Sequence, residues 1–346
     1  MKLRATLQRD LLFFKIAQAV EKIGRSCFIK FTSDYVAFGA IHSLTDNDST
    51  GGGGLIQCWS RLSKESLFYE YRIESNANNE IYLEMKAEDL LLAMRSSNNA
   101  TAIVMRMSGR STDAYLTFSI TSEDHHGNSR AITQNVPIIN ILSMNQVINT
   151  PVFNEPMVPA PEVHIMLPQL DRLRHVTASY KNLADHMVIS ANLQGEMVFT
   201  TSDGVQQFYH NSYYKSGRPE RGQDQRSGSD LENNDEGGAE EEPVTTRYGM
   251  AEKAHVETRF TNLHNPTMLV GDDDHPQLDR QRIRPKEFAS VLVRVADMQK
   301  VLQSHYVKPS NVICSIVPNH SILFYVYIKD DTQNTTLTYF IPENSL

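Results

Sequence analysis

Apolar and polar residues alternate over positions 2–8 of the chain, and the period then lengthens. Across 10–25, "DLLFFKIAQAVEKIGR", Leu12, Ile16, Ala19, Val20 and Ile23 return to one side at helical spacing. The pattern predicts a strand running into a helix, with Asp10 at the N-cap. Short strand-like segments follow in "CFIKF", "YVAFGA", "LIQCWSRL", "LFYEYRI" and "EIYLEM". A second helix is predicted over 87–98, followed by strands "AIVMRM" and "AYLTFSI" and the less regular "RAITQNVPI". Between Ala40 and Leu55, "IHSLTDNDSTGGGG" reads as a flexible loop.

Residues 139–161 break this rhythm with Pro151, Pro156, Pro159 and Pro161 and read as a linker. The rhythm then restarts. "EVHIMLP" matches the first strand, and the next helix turns Leu170, Leu173, Thr177, Tyr180 and Ala184 to one side. "HMVISANLQGEMVFT" predicts two strands joined at Leu193–Gly195, and "ASVLVRVADMQKVLQSH" repeats the strand-into-helix order of 81–98. "SILFYVYI" takes the part of "AYLTFSI". Early equivalents lie about 160 residues apart and later ones about 209, so the second half carries roughly 49 extra residues. The extra length corresponds to inserts near 207–250 and 264–286, and the first is hydrophilic enough to be read as disordered. The predicted class is therefore α+β: two copies of one unit, each mostly antiparallel sheet with two helices. The boundaries are 1–138, a linker over 139–161, and 162–346 with both inserts.

Composition narrows the function classes. Hydrophobic residues make up 40% of 346, enough for a sizeable core, yet none of the apolar runs is long enough for a membrane span. The opening "MKLRATLQRD" is charged where a signal peptide needs apolar residues. Cys27, Cys58 and Cys314 are odd in number and far apart, as expected of buried reduced thiols in a cytosolic or nuclear protein. The net charge of −8 is uneven: Lys215–Glu242 holds four basic and nine acidic residues, −5, leaving −3 elsewhere. What matters is where the other cations point.

The four long helices bear on that. Lys15, Gln18, Lys22 and Arg25 share a sector away from Ile16, Val20 and Ile23, and Arg95 lies away from Leu90, Met94 and Ser97. Arg174, His175 and Lys181 lie opposite Leu173 and Tyr180, while Lys300 lies away from Met298, Val301 and Leu302. Two readings stay open: ordinary solvated helix faces, or one shared basic surface for a polyanion. No helix gathers Arg, Asn or Gln at its N-terminus for reading base edges. Lysines on flexible stems would instead hold phosphates without sequence preference, through contacts that weaken with salt.

A search for catalysis returns little. "DNDSTGGGG" lacks the Lys-Ser/Thr and the helix of a phosphate loop. "GDDDH" (271–275) reads as an acidic solvated loop, and His125–His126 would point apart on a strand. The chain has no G-x-S-x-G elbow, and Trp59 reads as core. The expectation is a non-enzyme without cofactor or metal.

"MKLRA", "NNEIYLEM…EDLLLAMRSSNNA", "HMVISANLQGEM" and "LTYFIP" resemble the Hus-family subunit of the heterotrimeric DNA-damage checkpoint sliding clamp, the nine-one-one complex, within the PCNA-like clamp fold. The likeness covers both halves but neither insert. It implies two tandem clamp domains forming one third of a pseudo-hexagonal ring, with helices lining the hole and sheets outside. It implies a nuclear, non-catalytic subunit in a one-to-one-to-one heterotrimer, loaded onto double-stranded or primer-junction DNA by a clamp loader. The ring would serve checkpoint signalling and repair as a platform for their proteins. Under this resemblance Lys15, Lys22, Arg25, Arg95, Arg174, Lys181 and Lys300 face DNA. The subunit edges are Arg130, Ile132, Gln134, Val136 and Ile138 on one side and His255, Glu257 and Arg259 on the other. A homotrimeric replicative processivity clamp is the alternative, opposed by the inserts and the family-specific segments. A protein-interaction scaffold that never encircles DNA is a further one.

Overall fold

The computed structural model describes residues 1–42, 56–97, 100–110, 113–123, 129–143, 146, 152, 156–201, 256–267, 284–329 and 334–344. The glycine-rich loop, His125–His126, the acidic insert, His255, "GDDDH" and most of 264–286 lie outside the described residues.

β1 (Lys2–Leu7) leads into α1 (Asp10–Ile23), which buries Leu12, Phe13, Ile16, Ala17, Ala19, Val20 and Ile23. The N-cap is Arg9, with no side-chain cap bond, and Asp10 is the first helical residue. Its carboxylate serves the helix through the positive end of the dipole rather than as a cap. β2 (Ser26–Phe31), β3 (Tyr35–His42) and β4 (Ile56–Ser63) follow the predicted alternation, and a one-turn helix absent from the sequence reading, α2 (Lys64–Leu67), turns the chain into β5 (Phe68–Glu74). β6 (Ile81–Lys86) passes directly into α3 (Ala87–Arg95), which stops short of 98 because Ser96 caps it and Ser97 Oγ bonds back to Met94 O at 2.6 Å. β7 (Ala102–Arg110), β8 (Asp113–Glu123) and β9 (Ser129–Ile141) complete this unit. β9 is a continuous strand where an irregular one was expected, and it runs into the stretch read as linker.

The same order recurs. β10 (Val163–Met166) precedes α4 (Leu170–Tyr180), then come β11 (His186–Ala191), β12 (Met197–Thr200) and β13 (Glu257–Phe260). β14 (Ala289–Arg294) passes into α5 (Val295–Leu302) and a 3-10 turn over Gln303–Val307, followed by β15 (Asn311–Val317), β16 (Ser321–Lys329) and β17 (Asn334–Pro342). Gly195 makes the β11–β12 turn with φ +78, a conformation costly for a side-chain-bearing residue.

Every strand pairing is antiparallel. One sheet runs β5-β1-β7-β8-β9-β6-β2-β3-β4 and continues as β17-β16-β15-β10; a second runs β13-β12-β11-β14. β9 changes neighbours along its length, pairing with β8 over Ser129–Pro137 and with β6 over Ile138–Ile141. The two repeats join where β17 pairs with β4: Thr338 faces Trp59, Tyr339 faces Cys58 and Phe340 faces Gln57.

The helices gather against the sheets: α1 packs on α3, on the 3-10 turn and on α5, and α4 packs on α5. Phe13 of α1 meets Phe38 edge-on at 5.2 Å and Phe118 at 6.2 Å. In the second unit Tyr180 takes the buried position on α4, donating to Thr258 Oγ1 at 2.7 Å. The three cysteines are buried free thiols; burial raises their pKa values, Cys58 to about 12, so they stay protonated and inert. In the linker Val152 is buried beside Gly39, where an added Cβ would lie 2.8 Å from Val152 Cγ2. Val158 packs on Val317, Leu323 and Phe340 beside the β4–β17 junction.

Candidate functional site: helix faces and open strand edges

The outward helix faces are less basic than their lysines suggest. Within the limits of α1, α3, α4 and α5, the basic residues Lys15, Lys22, Arg95, Arg172, Arg174 and Lys300 are matched by Asp10, Glu21, Glu88, Asp89, Asp171 and Asp297. All of these acids except Glu21 occupy first turns, where a carboxylate offsets the partial positive charge of unpaired N–H groups. Asp297, however, is buried and consumed by Arg294 through two bonds of 2.8 and 2.9 Å, so it offsets no outward cation. The helices themselves thus keep only a slight positive surplus, to which flanking residues, among them Arg25 and Lys181, add.

The seven expected DNA-facing residues differ in freedom. Arg25, Arg95 and Lys181 are exposed, and Lys15, Lys22 and Lys300 are partly exposed. Lys22 Nζ lies 2.8 Å from Glu21 Oε2. Arg95 ends α3 beside a cavity of about 300 Å³ that also involves Asp10, Leu11, Phe14, Met94 and Ser97. Arg174 is not a free outward cation. Its Nη1 donates to His305 Nε2 at 2.7 Å, approaches Asp171 Oδ1 at 3.4 Å, and the guanidinium lies 5.6 Å from the Tyr306 ring centre. His305 Nδ1–H donates to Leu302 O at 3.1 Å, so the ring sits neutral with both nitrogens engaged. Burial first, and the Arg174 charge second, lower its pKa.

Two apolar side chains on these faces, not singled out from the sequence, are exposed: Leu11 at 62% and Leu92 at 61%. Residue type alone assigns them to the core, and only their angular position argued otherwise.

The expected edges fare unevenly. Arg130 and Ile132 are exposed on the portion of β9 whose side away from β8 carries no partner strand among the described residues. Gln134 is partly buried, donating to Ser96 Oγ at 3.1 Å, and Val136 is buried. Ile138 lies opposite Met85, where β6 already occupies that side, so it belongs to no open edge. β13 pairs only with β12 among the described residues and ends its sheet. Its exposed Glu257 and Arg259 bond each other at 3.1 Å.

Among the described residues no group of three or more His, Cys, Asp or Glu could hold a metal ion, and no helix is long and apolar enough to cross a membrane.

A family model described as Hus1-like protein matches residues 1–345. "Checkpoint protein hus1" of Schizosaccharomyces pombe is 27% identical over 344 residues, covering 99% of this chain and 98% of that protein. "Checkpoint protein HUS1" of Homo sapiens is 26% identical over 335 residues, covering 95% and 94%. Among solved structures, PCNA from Thermococcus kodakaraensis superposes with a TM-score of 0.57 at 14% identity, covering 99% of this chain and 100% of that one. Proliferating cellular nuclear antigen from Entamoeba histolytica gives 0.56 at 9% identity, covering 99% of each. At such identities the structures establish the PCNA-like fold alone.

Proposed function

From the premise that the chain belongs to the Hus1-like protein family, we propose that it is a non-catalytic subunit of a ring-shaped DNA sliding clamp acting in nuclear checkpoint signalling and repair. The supporting observation is the β4–β17 junction. The last strand of the second unit pairs there with the fourth strand of the first. Their counterparts, β9 and β13, are the last strand of the first unit and the fourth of the second, and among the described residues β13 keeps one side open and β9 does so over Ser129–Pro137. Repeating the internal junction between chains would extend one sheet from subunit to subunit and close a ring. Arg130, Ile132, Gln134, Glu257 and Arg259 would then lie at or beside the two joints. The helices pack on one another against the sheets, and in the proposed ring they would line the enclosed space.

In that ring Lys15, Lys22, Arg25, Arg95, Lys181 and Lys300 would contact phosphates without reading bases, with Arg174 held back by His305. Near-cancellation of helix charge suits a ring that must slide: binding stays weak and salt-sensitive. The partners are two other clamp subunits, a clamp loader, double-stranded or primer-junction DNA, and checkpoint and repair proteins using the outer surface.

Co-expression with the two other clamp subunits tests this reading. A one-to-one-to-one complex by native mass, retained on circular but not linear DNA, is expected. A stable homotrimer of the isolated chain would overturn it in favour of a replicative clamp.

A further inference from the structure

Strand register sets three arginines side by side on one sheet face. Arg4 of β1 faces Arg72 of β5 on one side and Arg106 of β7 on the other. All three are exposed, while Leu3, Ala5 and Met105 on the opposite face are buried in the core with Phe13 and Ile16 of α1. Directly opposed side chains on a sheet face stand about 5 Å apart, and like charges so placed repel. Compensation is slight. Arg72 Nε is 3.5 Å from Glu74 Oε1, and that carboxylate is also engaged by Lys2 at 3.0 Å. Arg4 and Arg106 have no ion pair among the described residues. The adjacent rows are different: Lys2 faces Glu74 on one side, and Thr6 faces Glu70 and Val104 on the other. A sheet needs no such row for its own stability; a threonine at any of the three positions would serve it better.

We propose that Arg4, Arg72 and Arg106 form a docking site for a phosphorylated segment of a partner protein, presenting one phosphoserine or phosphothreonine. Guanidinium forks grip phosphate through paired charge-assisted bonds, which arginine supplies and lysine does not. The row spans two interstrand spacings, roughly 10 Å. That suffices to hold one phosphate dianion from several sides. Glu70 and Glu74 flank the row and would repel the successive phosphates of a nucleic-acid backbone, so the site favours an isolated phosphate on a peptide. It lies on the sheet face away from α1, and so does not depend on the helices meeting DNA.

The test uses the full chain with isotope-labelled arginine, titrated with the peptide Gly-Ala-phosphoserine-Ala-Gly while the Nε–Hε resonances are followed. Saturable shifts of Arg4, Arg72 and Arg106 are expected, with the unphosphorylated peptide about tenfold weaker. The double variant Arg4→Glu with Arg106→Glu should lose the response, and Arg4→Lys with Arg106→Lys should weaken it although charge is retained. A further double variant, Arg4→Thr with Arg106→Thr, should melt at or above the parent temperature, because the repulsion is gone. The proposal is overturned if none of the three resonances moves, if both peptides act alike, or if a short single-stranded DNA moves them at lower concentration than the phosphopeptide.

Discussion

Arg174 Nη1 and His305 Nε2 share a hydrogen bond of 2.7 Å that ties α4 to the turn following α5. The histidine must be neutral to accept it, and Asp171 Oδ1 stands 3.9 Å from the same Nε2. Burial and the arginine charge lower the His305 pKa from 6.5, and burial lowers that of His186 as well. Between the lowered values and 6.5 the unfolded chain binds protons that the folded chain does not. Stability is therefore full above pH 6.5 and declines as pH falls through 6.5 toward the folded values. Glu343, raised by burial from 4.5, acts in the opposite sense as pH rises, so the check must be site-resolved. The His305 ring resonances should titrate below 6.5 in the parent and move back toward 6.5 in Arg174→Gln. Unchanged titration would mean that the guanidinium does not hold the ring neutral.

Removing one member of the nearly buried Arg294–Asp297 pair strands the other. Asp297→Ala should cost about 3–5 kcal/mol in urea unfolding, whereas the double replacement Arg294→Met with Asp297→Leu should recover most of that loss. A loss below 1 kcal/mol in the single variant would show that water reaches the guanidinium.

Gly39 has no room for a side chain under the linker. Gly39→Ala should press on Val152 and cost about 1–3 kcal/mol. Adding Val152→Ala should relieve part of it, and limited proteolysis near 152 should be faster in the single variant than in the double. Equal cutting of both would detach the linker from this contact.

Charge reversal on the helices should act on DNA and not on folding. Lys15→Glu, Lys22→Glu and Arg95→Glu together, in the assembled ring, should shorten retention on DNA and flatten its salt dependence by about 0.9 in log–log slope per lost phosphate contact. Arg174→Glu should have a smaller effect on the slope, since that side chain is already engaged. Parent-like retention of the triple variant at every salt concentration would exclude these residues from the DNA face.

Phe13 is fully buried between Phe38 and Phe118. Phe13→Ala should cost about 3–5 kcal/mol by thermal or urea unfolding, reporting on the core that carries α1.

Much of the fold was legible because alternation and helical period are local. Ile16, Val20, Leu173 and Tyr180 face the core as their spacing requires, and the restart after the linker disclosed the repeat. Asp10 was misread as a cap because N-cap and first-turn acids differ by one residue in sequence but by function at the dipole. Of the candidate sites, the sequence indicated which cations lie outward on each helix, but not that first-turn carboxylates balance them or that His305, over a hundred residues away, restrains Arg174.

The sequence by itself thus determined most of the element order, though not the one-turn α2 or β15, together with the duplicated unit, the buried faces of the long helices and the family, all of which follow from residues near one another along the chain. Tertiary structure alone decided that β9, among the described residues, is open over one portion and taken by β6 at Ile138, that β17 covers β4, and that Arg4, Arg72 and Arg106 form a row. Those facts depend on strand register and on who sits beside whom, and hydrogen-bonded pairing between distant segments leaves no periodic trace in either one.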